Sequence, residues 1–421
     1  MQNIALLFPG QGSQYKGMGK RFYDKYPTVR KVFEEASDAL GFDLKKLCLD
    51  SSIDELTQTE NAQPAILSVS VAMFKVFMNE TGSKPEFLAG HSLGELSALT
   101  CAGGINFTDA VKLVRKRGLF MKEAASIGVG AMAAISGVSS ETINEECIKF
   151  SKENNIVVIS NYNSPDQTVI SGHYEAVQQV SKKLKDIGGR VIPLKVSAPF
   201  HSPLMISAYE KFITELQTYK YYELKYPVVS NITAQPYVGT SDIIYNLSEH
   251  LVNPVRWKES MEYLHRQGVN IVVELGPQTV LRNLMKKNIA SITAYSFDDE
   301  EDYKNIKLFT SENKTKNTEK KIIPSIISRC LAVAVSTPNK NWNNDEYQKG
   351  VIEPYKKIQK MQEELENQNI QPSVEQMRSA LEMLKFVFIT KNTPIEEQNY
   401  RFNLIFEETG TKNIFSDFDI S

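Results

Sequence analysis

The stretch Gly90-His91-Ser92-Leu93-Gly94 constrains this chain more than any other. It follows the apolar run Phe87-Leu88-Ala89 and precedes Glu95-Leu96-Ser97-Ala98-Leu99, which favours helix. Gly-x-Ser-x-Gly between a strand and a helix is the setting of a nucleophile elbow. The sharp turn holds the serine in a backbone conformation that most residues resist. Glycines on either side let the strand and helix pack closely around it. Ser92 Oγ then stands at a helix N-terminus, where backbone N–H groups favour developing negative charge.

The rest of the N-terminal part reads as an α/β domain. Ile4-Ala5-Leu6-Leu7-Phe8 is a short continuous apolar run, as in a buried parallel strand. It ends at Pro9-Gly10-Gln11-Gly12-Ser13-Gln14, a tight loop at the end of a strand, where open α/β sheets bind ligands. Helical spacing recurs over Val29–Leu40, Ala62–Met78 and, from a capping Thr108-Asp109, over Thr108–Ala125. That last helix carries Arg115, Lys116 and Arg117. Two of these should face solvent; one can turn inward to grip an anion, and the spacing alone does not say which.

From about Gly130 the pattern changes. Ala131–Ser136, Ile156–Ser160, Thr168–Ser171 and Arg190–Val196 read as strands, with helices Ser139–Phe150 and Tyr174–Ile187 between them. The order β-α-β-β-α-β predicts a ferredoxin-like insertion. The larger domain resumes with a strand at Tyr226–Ile232, helices at Ile243–Leu251 and Val255–Arg266, and a buried strand at Ile271–Leu275. A helix at Gln278–Lys287 and a strand at Ile292–Phe297 complete it. The predicted organisation is therefore an α/β-hydrolase-like large subdomain with a parallel sheet over residues 1–125 and 202–308. A ferredoxin-like small subdomain spans 126–201, a polar linker 309–321, and a helical appendage 322–421. Amphipathic helices are predicted there at Tyr355–Glu366, Val374–Val387 and Pro394–Phe406.

Composition removes several classes. A net charge of -2 argues against a nucleic-acid binder working through bulk charge. Cys48, Cys101, Cys147 and Cys330 are far apart and lack metal-ligand spacing, so they read as reduced thiols of a cytoplasmic protein. Met1-Gln2-Asn3-Ile4 lacks the basic region of a signal peptide, and no apolar run reads as long enough to span a bilayer.

A serine hydroxyl needs a base to take its proton. The histidines are His91, His173, His201, His250 and His265. His173 and His265 sit beside helices and read as surface residues. His201, in Pro199-Phe200-His201-Ser202-Pro203 at a domain junction, is the best candidate base. In α/β-hydrolase order a triad acid falls between serine and histidine. Asp166 is in a hairpin turn and Asp186 ends a surface helix, so neither suits. The expectation is a Ser–His dyad, its imidazole oriented by a backbone carbonyl.

Five segments together resemble a known family. They are Gly10-Gln11-Gly12-Ser13-Gln14, Gly90 to Glu95, Arg117-Gly118, Asn161 to Gly172, and Ala198-Pro199-Phe200-His201-Ser202. In this order, over roughly residues 1–300, they are similar to malonyl-CoA:acyl carrier protein transacylases. With the appended helices, the chain most resembles free-standing acyltransferases that serve polyketide synthases. The resemblance implies that malonyl-CoA acylates Ser92 and that His201 acts as base and then acid. It implies an oxyanion hole from the backbone N–H groups of Gln11 and Leu93, a carboxylate clamp at Arg117, and His91 beside the nucleophile. No bound cofactor is implied; the partner is the phosphopantetheine thiol of an acyl carrier protein, with neither nucleic acid nor membrane. Phe200 would fill the space beside the malonyl α-carbon, an aromatic that goes with the unbranched substrate. The chain departs from the family at His250, where a glutamine is usual. That residue's carbonyl would orient His201, and a carbonyl survives a side-chain change. Two other readings stay open: a hydrolase clearing stalled acyl groups from carrier proteins, and a docking protein acting through its C-terminal helices.

Overall fold

The structure is a computed structural model that describes residues 3–125, 130–194, 196, 198–308, 325–341, 343–368, 370 and 372–418. It divides into two compact units, Met1–Ser311 and Glu312–Ser421. The stretch 309–321, read above as a linker, lies outside the described residues.

The strands of the first unit, in chain order, are β1 (Ile4–Phe8), β2 (Phe87–Gly90), β3 (Gly130–Ser136), β4 (Val157–Ser164), β5 (Gln167–His173), β6 (Arg190–Pro193), β7 (Val228–Val229), β8 (Ile271–Glu274) and β9 (Thr293–Ser296). They form two sheets. The larger runs β7-β2-β1-β8-β9 and is parallel throughout. Its central strand β1 is buried along its whole length, as an apolar strand covered on both faces should be. The helix Pro27–Leu40 buries Val29, Val32, Phe33 and Ala36, an i, i+3, i+4, i+7 stripe facing this core. Val29, Val32 and Phe33 each contribute roughly 1.5–3 kcal/mol on full burial.

The smaller sheet runs β4-β5-β3-β6 and is antiparallel. With its helices Ser140–Phe150 and Tyr174–Asp186 it has the ferredoxin-like order. Strand β4 is tied to the larger subdomain at Val255, whose N–H and carbonyl bond Ser160 O and Tyr162 N at 2.9 Å each.

Several boundaries differ from the sequence reading. The strand expected at Tyr226–Ile232 shrinks to Val228–Val229, because Ser230 turns to bond Gln235 O and the Asn231 side chain bonds the elbow backbone. The strand β6 ends at Pro193, and Leu194 N–H still bonds Met132 O of β3 at 2.9 Å. The helix Phe107–Ala125 begins one residue before the expected cap, so Thr108 and Asp109 sit inside its first turn. His173 is half-buried rather than on the surface, its ring accepting from Ile156 N–H at 2.9 Å. The helix Thr59–Thr81 is long and apolar enough to cross a bilayer, contrary to expectation, but most of it is buried in the core of this unit.

The second unit has the helices Ile326–Ser336, Asn344–Tyr347, Glu353–Gln368, Val374–Thr390 and Ile395–Thr409, and a π-helical turn at Gln348–Ile352. Ser373 and Gln376 form a capping box at the start of Val374–Thr390. Leu384, Phe388, Phe402 and Phe406 anchor a core of its own.

Candidate active site

Close approach explains the glycines of the elbow. A Cβ on Gly90 would lie 1.9 Å from the Gly94 carbonyl, and one on Gly94 would lie 1.9 Å from the Phe8 carbonyl oxygen. Any side chain would lift the helix Leu93–Cys101 off the sheet. Between them Ser92 takes φ 52° and ψ -110°. Strain of this kind costs on the order of 1–3 kcal/mol and persists only where the surroundings enforce it. Asn231 is the enforcing residue. Its Oδ1 accepts from Ser92 N–H at 2.8 Å, and its Nδ2 donates to Gly90 O at 2.7 Å.

His201 is also held at positive φ, 56°. Ser202 Oγ donates to Pro199 O at 2.6 Å and closes that loop. The imidazole Nδ1 lies 2.7 Å from His250 O, and Nε2 lies 2.9 Å from Ser92 Oγ. A carbonyl only accepts, so Nδ1 carries the proton and Nε2 is bare to receive one from Ser92. Burial, then His250, Arg117 and His91, hold the His201 pKa well below the usual range, so the ring is neutral at pH 7. Asp166 and Asp186 are exposed, and the His201 Nδ1 partner is the His250 carbonyl.

The three cations of Phe107–Ala125 diverge. Lys116 is exposed, 3.4 Å from Glu215. Arg115 is half-buried rather than solvated and donates to Glu60 O at 2.6 Å. Arg117 turns inward and is only 1% exposed. It donates to Gln63 Oε1 at 2.9 Å and reaches Ser92 Oγ at 3.4 Å, while its Nε has no partner. Burial lowers its pKa to about 10, so it stays charged.

Ser92, His201 and Arg117 meet in a cleft of about 620 Å³ between the two subdomains. Gln11, Leu93, His91 and Phe200 line it too. The Gln11 side chain donates to Thr59 Oγ1 at 3.2 Å and steadies its loop. The backbone N–H groups of Gln11 and Leu93 make no hydrogen bond among the described residues. His91 Nε2 lies 2.9 Å from Asn163 Oδ1, and its ring meets Trp257 edge-on. The His250 side chain stacks on His201 with ring centroids 4.9 Å apart. Asn231, Gln63 and Glu95 belong to the site and were not anticipated. Only Glu95, an acid in the first turn of the elbow helix, carried a local signal.

A parallel α/β sheet, a strained serine at its carboxyl edge and a histidine facing it define a class of enzymes that move acyl groups. Residues 5–324 match the model of the acyl transferase domain. A Bacillus subtilis malonyl CoA-acyl carrier protein transacylase is 42% identical over 406 residues, spanning 94% of this chain and 99% of the relative. The enzyme of that name from Escherichia coli K12 is 43% identical over 300 residues, spanning 71% and 97%. Among solved structures, the Coxiella burnetii malonyl CoA-acyl carrier protein transacylase superposes with a TM-score of 0.71 at 38% identity, covering 73% of this chain and 97% of that one. A malonyl-transacylase in complex with its type II PKS acyl-carrier protein gives 0.71 at 39%, covering 74% and 100%. The chain belongs to the acyl transferase domain family, among the malonyl CoA-acyl carrier protein transacylases. The first Bacillus relative extends through most of the helical unit, which the Escherichia coli enzyme does not.

Proposed function

We propose that the chain moves a malonyl group from malonyl-CoA to the phosphopantetheine thiol of an acyl carrier protein, by way of a malonyl ester on Ser92. His201 Nε2 takes the Ser92 proton as Oγ bonds to the thioester carbonyl carbon. The carbonyl oxygen gains charge beside the N–H groups of Gln11 and Leu93. The C–S bond breaks, and CoA leaves as a thiol with the proton from His201. The carrier thiol then gives its proton to His201, attacks the ester, and Ser92 recovers its proton. The observation that carries this reading is Arg117, a buried cation with an unpaired Nε beside the Ser92–His201 pair. A substrate with a free carboxylate supplies the missing partner. The same arginine argues against the hydrolase reading. Phe200 beside His201 supports an unbranched acyl group. The relatives support either fatty acid or polyketide synthesis as the setting. Four cysteines, all free and buried, support a cytoplasmic location.

The reading is tested on His201. His201→Ala should slow both acylation by malonyl-CoA and transfer to carrier protein by about 10²–10⁴, since one group serves as base and then acid. Loss in one half-reaction alone would show that the second has its own base. Assaying CoA release with and without carrier protein separates transfer from hydrolysis.

The helical unit is proposed as dispensable for the chemistry, because its core and that of the first unit share no residue. A chain ending at Ser311 should keep its circular dichroism and form the malonyl-enzyme at close to the full-length rate. Aggregation, or loss of self-acylation, would show that the helices complete the catalytic unit.

A further inference from the structure

We propose that Glu95, acting through His250, is a positioning residue for His201 that also offsets the charge His201 gains on taking the Ser92 proton. This rests on the Ser92–His201 reading above and adds a function for two buried side chains that reading leaves idle. Glu95 sits three residues beyond the nucleophile, fully buried. Its Oε1 accepts from Tyr237 O–H at 2.6 Å and from Asn231 N–H at 3.1 Å. Asn231 in turn pins Ser92 N–H, so one carboxylate oxygen braces the serine half of the pair.

The other oxygen faces the histidine half. Oε2 lies 3.1 Å from His250 Nδ1, and neither atom has a hydrogen-bond partner of good geometry among the described residues. They face each other, and a small rotation of the His250 ring that puts one proton between them would satisfy two buried polar atoms whose isolation is costly. His250 contributes to His201 twice: its carbonyl takes the Nδ1–H, and its ring stacks on the imidazole at an interplanar angle of 27°. Holding the His250 ring therefore holds His201. A glutamine at 250 would keep the carbonyl and lose the stack.

The dyad has a neutral carbonyl where a triad has a carboxylate. The groups around Glu95 are Tyr237, Asn231, Ser230, Arg117 and the His250 ring; those around His250 are Arg117, His91, the stacked His201 and Glu95. Glu95 is the anion of this set, and its Oε2 lies at the Nδ1 edge of the stacked His250 ring. Burial raises its pKa to about 7, against the pull of Tyr237, Asn231, Ser230 and Arg117. Its charge is therefore present above about pH 7 and lost as pH falls through that value. His201 itself titrates well below its usual range, so the two ionisations are separable.

The test uses the full chain, with kcat and KM for malonyl transfer measured from pH 5 to 9. Glu95→Gln keeps an acceptor for Tyr237 and removes the charge. We expect kcat to fall about tenfold, KM for malonyl-CoA to hold within about twofold, and the kcat limb near pH 7 to vanish. His250→Gln should do the same, and the double variant should lose no more than the worse single. If Glu95→Gln does not fold, His250→Gln alone carries the test. An unchanged kcat, a lowered kcat with the limb intact, or additive losses would overturn the proposal. Acylation of His201→Ala at close to the wild-type rate would instead place the fault in the dyad.

Discussion

Replacing Ser92 with alanine should abolish the malonyl-enzyme and lower kcat by about 10⁶, the scale seen when a nucleophile is removed from a catalytic pair. Intact-protein mass spectrometry after mixing with malonyl-CoA reads the result directly. The substitution is nearly free of structural side effects. Alanine bears the same Cβ, so the strained turn at φ 52° is neither relieved nor worsened. Asn231 still pins the backbone N–H at 2.8 Å. What disappears is the 2.9 Å contact with His201 Nε2 and the 3.4 Å contact with Arg117. The thermal midpoint should therefore stay within a few degrees of wild type. A mass increase of full amplitude on Ser92→Ala would move the acyl group to another residue and end the mechanism. A collapse of the fold would mean that the hydroxyl itself holds the turn.

The elbow was legible because its requirements are local. Two glycines, a serine and a strand-to-helix change lie within a few residues, and sterics leave little choice there. The ferredoxin-like order was legible for the same reason, from alternation and turn residues along a short segment. What was not legible comes from distant parts of the chain. Asn231 reaches Ser92 across 139 positions, and Gln63 reaches Arg117 across 54. Neither has a neighbour that announces its duty. The strand around Val228 was overestimated because Ser230 turns back to Gln235 and the Asn231 side chain reaches the elbow, pairings that only the fold reveals. His250 shows a subtler failure. Its main-chain role was open to inference because a carbonyl is present whatever the residue. The stack on His201 depends on the side chain, and only the fold brings the two rings together.

Arg117→Ala should reverse substrate preference: most malonyl transfer is lost while acetyl transfer is retained or rises. The guanidinium is buried, charged, and short of a partner at Nε. Gln63 occupies one donor and Ser92 Oγ weakly engages another. A malonyl carboxylate can take two parallel charge-assisted bonds there, each contributing about 1.5–3 kcal/mol net. Two of them give a preference of at least about a hundredfold, since about 1.4 kcal/mol is a factor of ten. Acetyl-CoA brings no carboxylate and leaves the cation unpaired in a desolvated cleft. A second effect works in the same direction. Arg117 is one of the charges that hold His201 below its usual pKa. The malonyl carboxylate offsets that field, so the correct substrate makes His201 the stronger base, and acetyl does not. Removing Arg117 raises the His201 pKa for every substrate. The acid limb of the kcat/KM profile should therefore move to higher pH in the mutant, while acetyl transfer above that limb is spared. The measurement is kcat/KM for malonyl-CoA and acetyl-CoA across pH, for wild type, Arg117→Ala and Arg117→Lys. Lysine keeps the charge but loses the planar fork, and should recover only part of the malonyl preference. Equal losses for both substrates would make Arg117 a structural residue, and selectivity would then fall to Phe200.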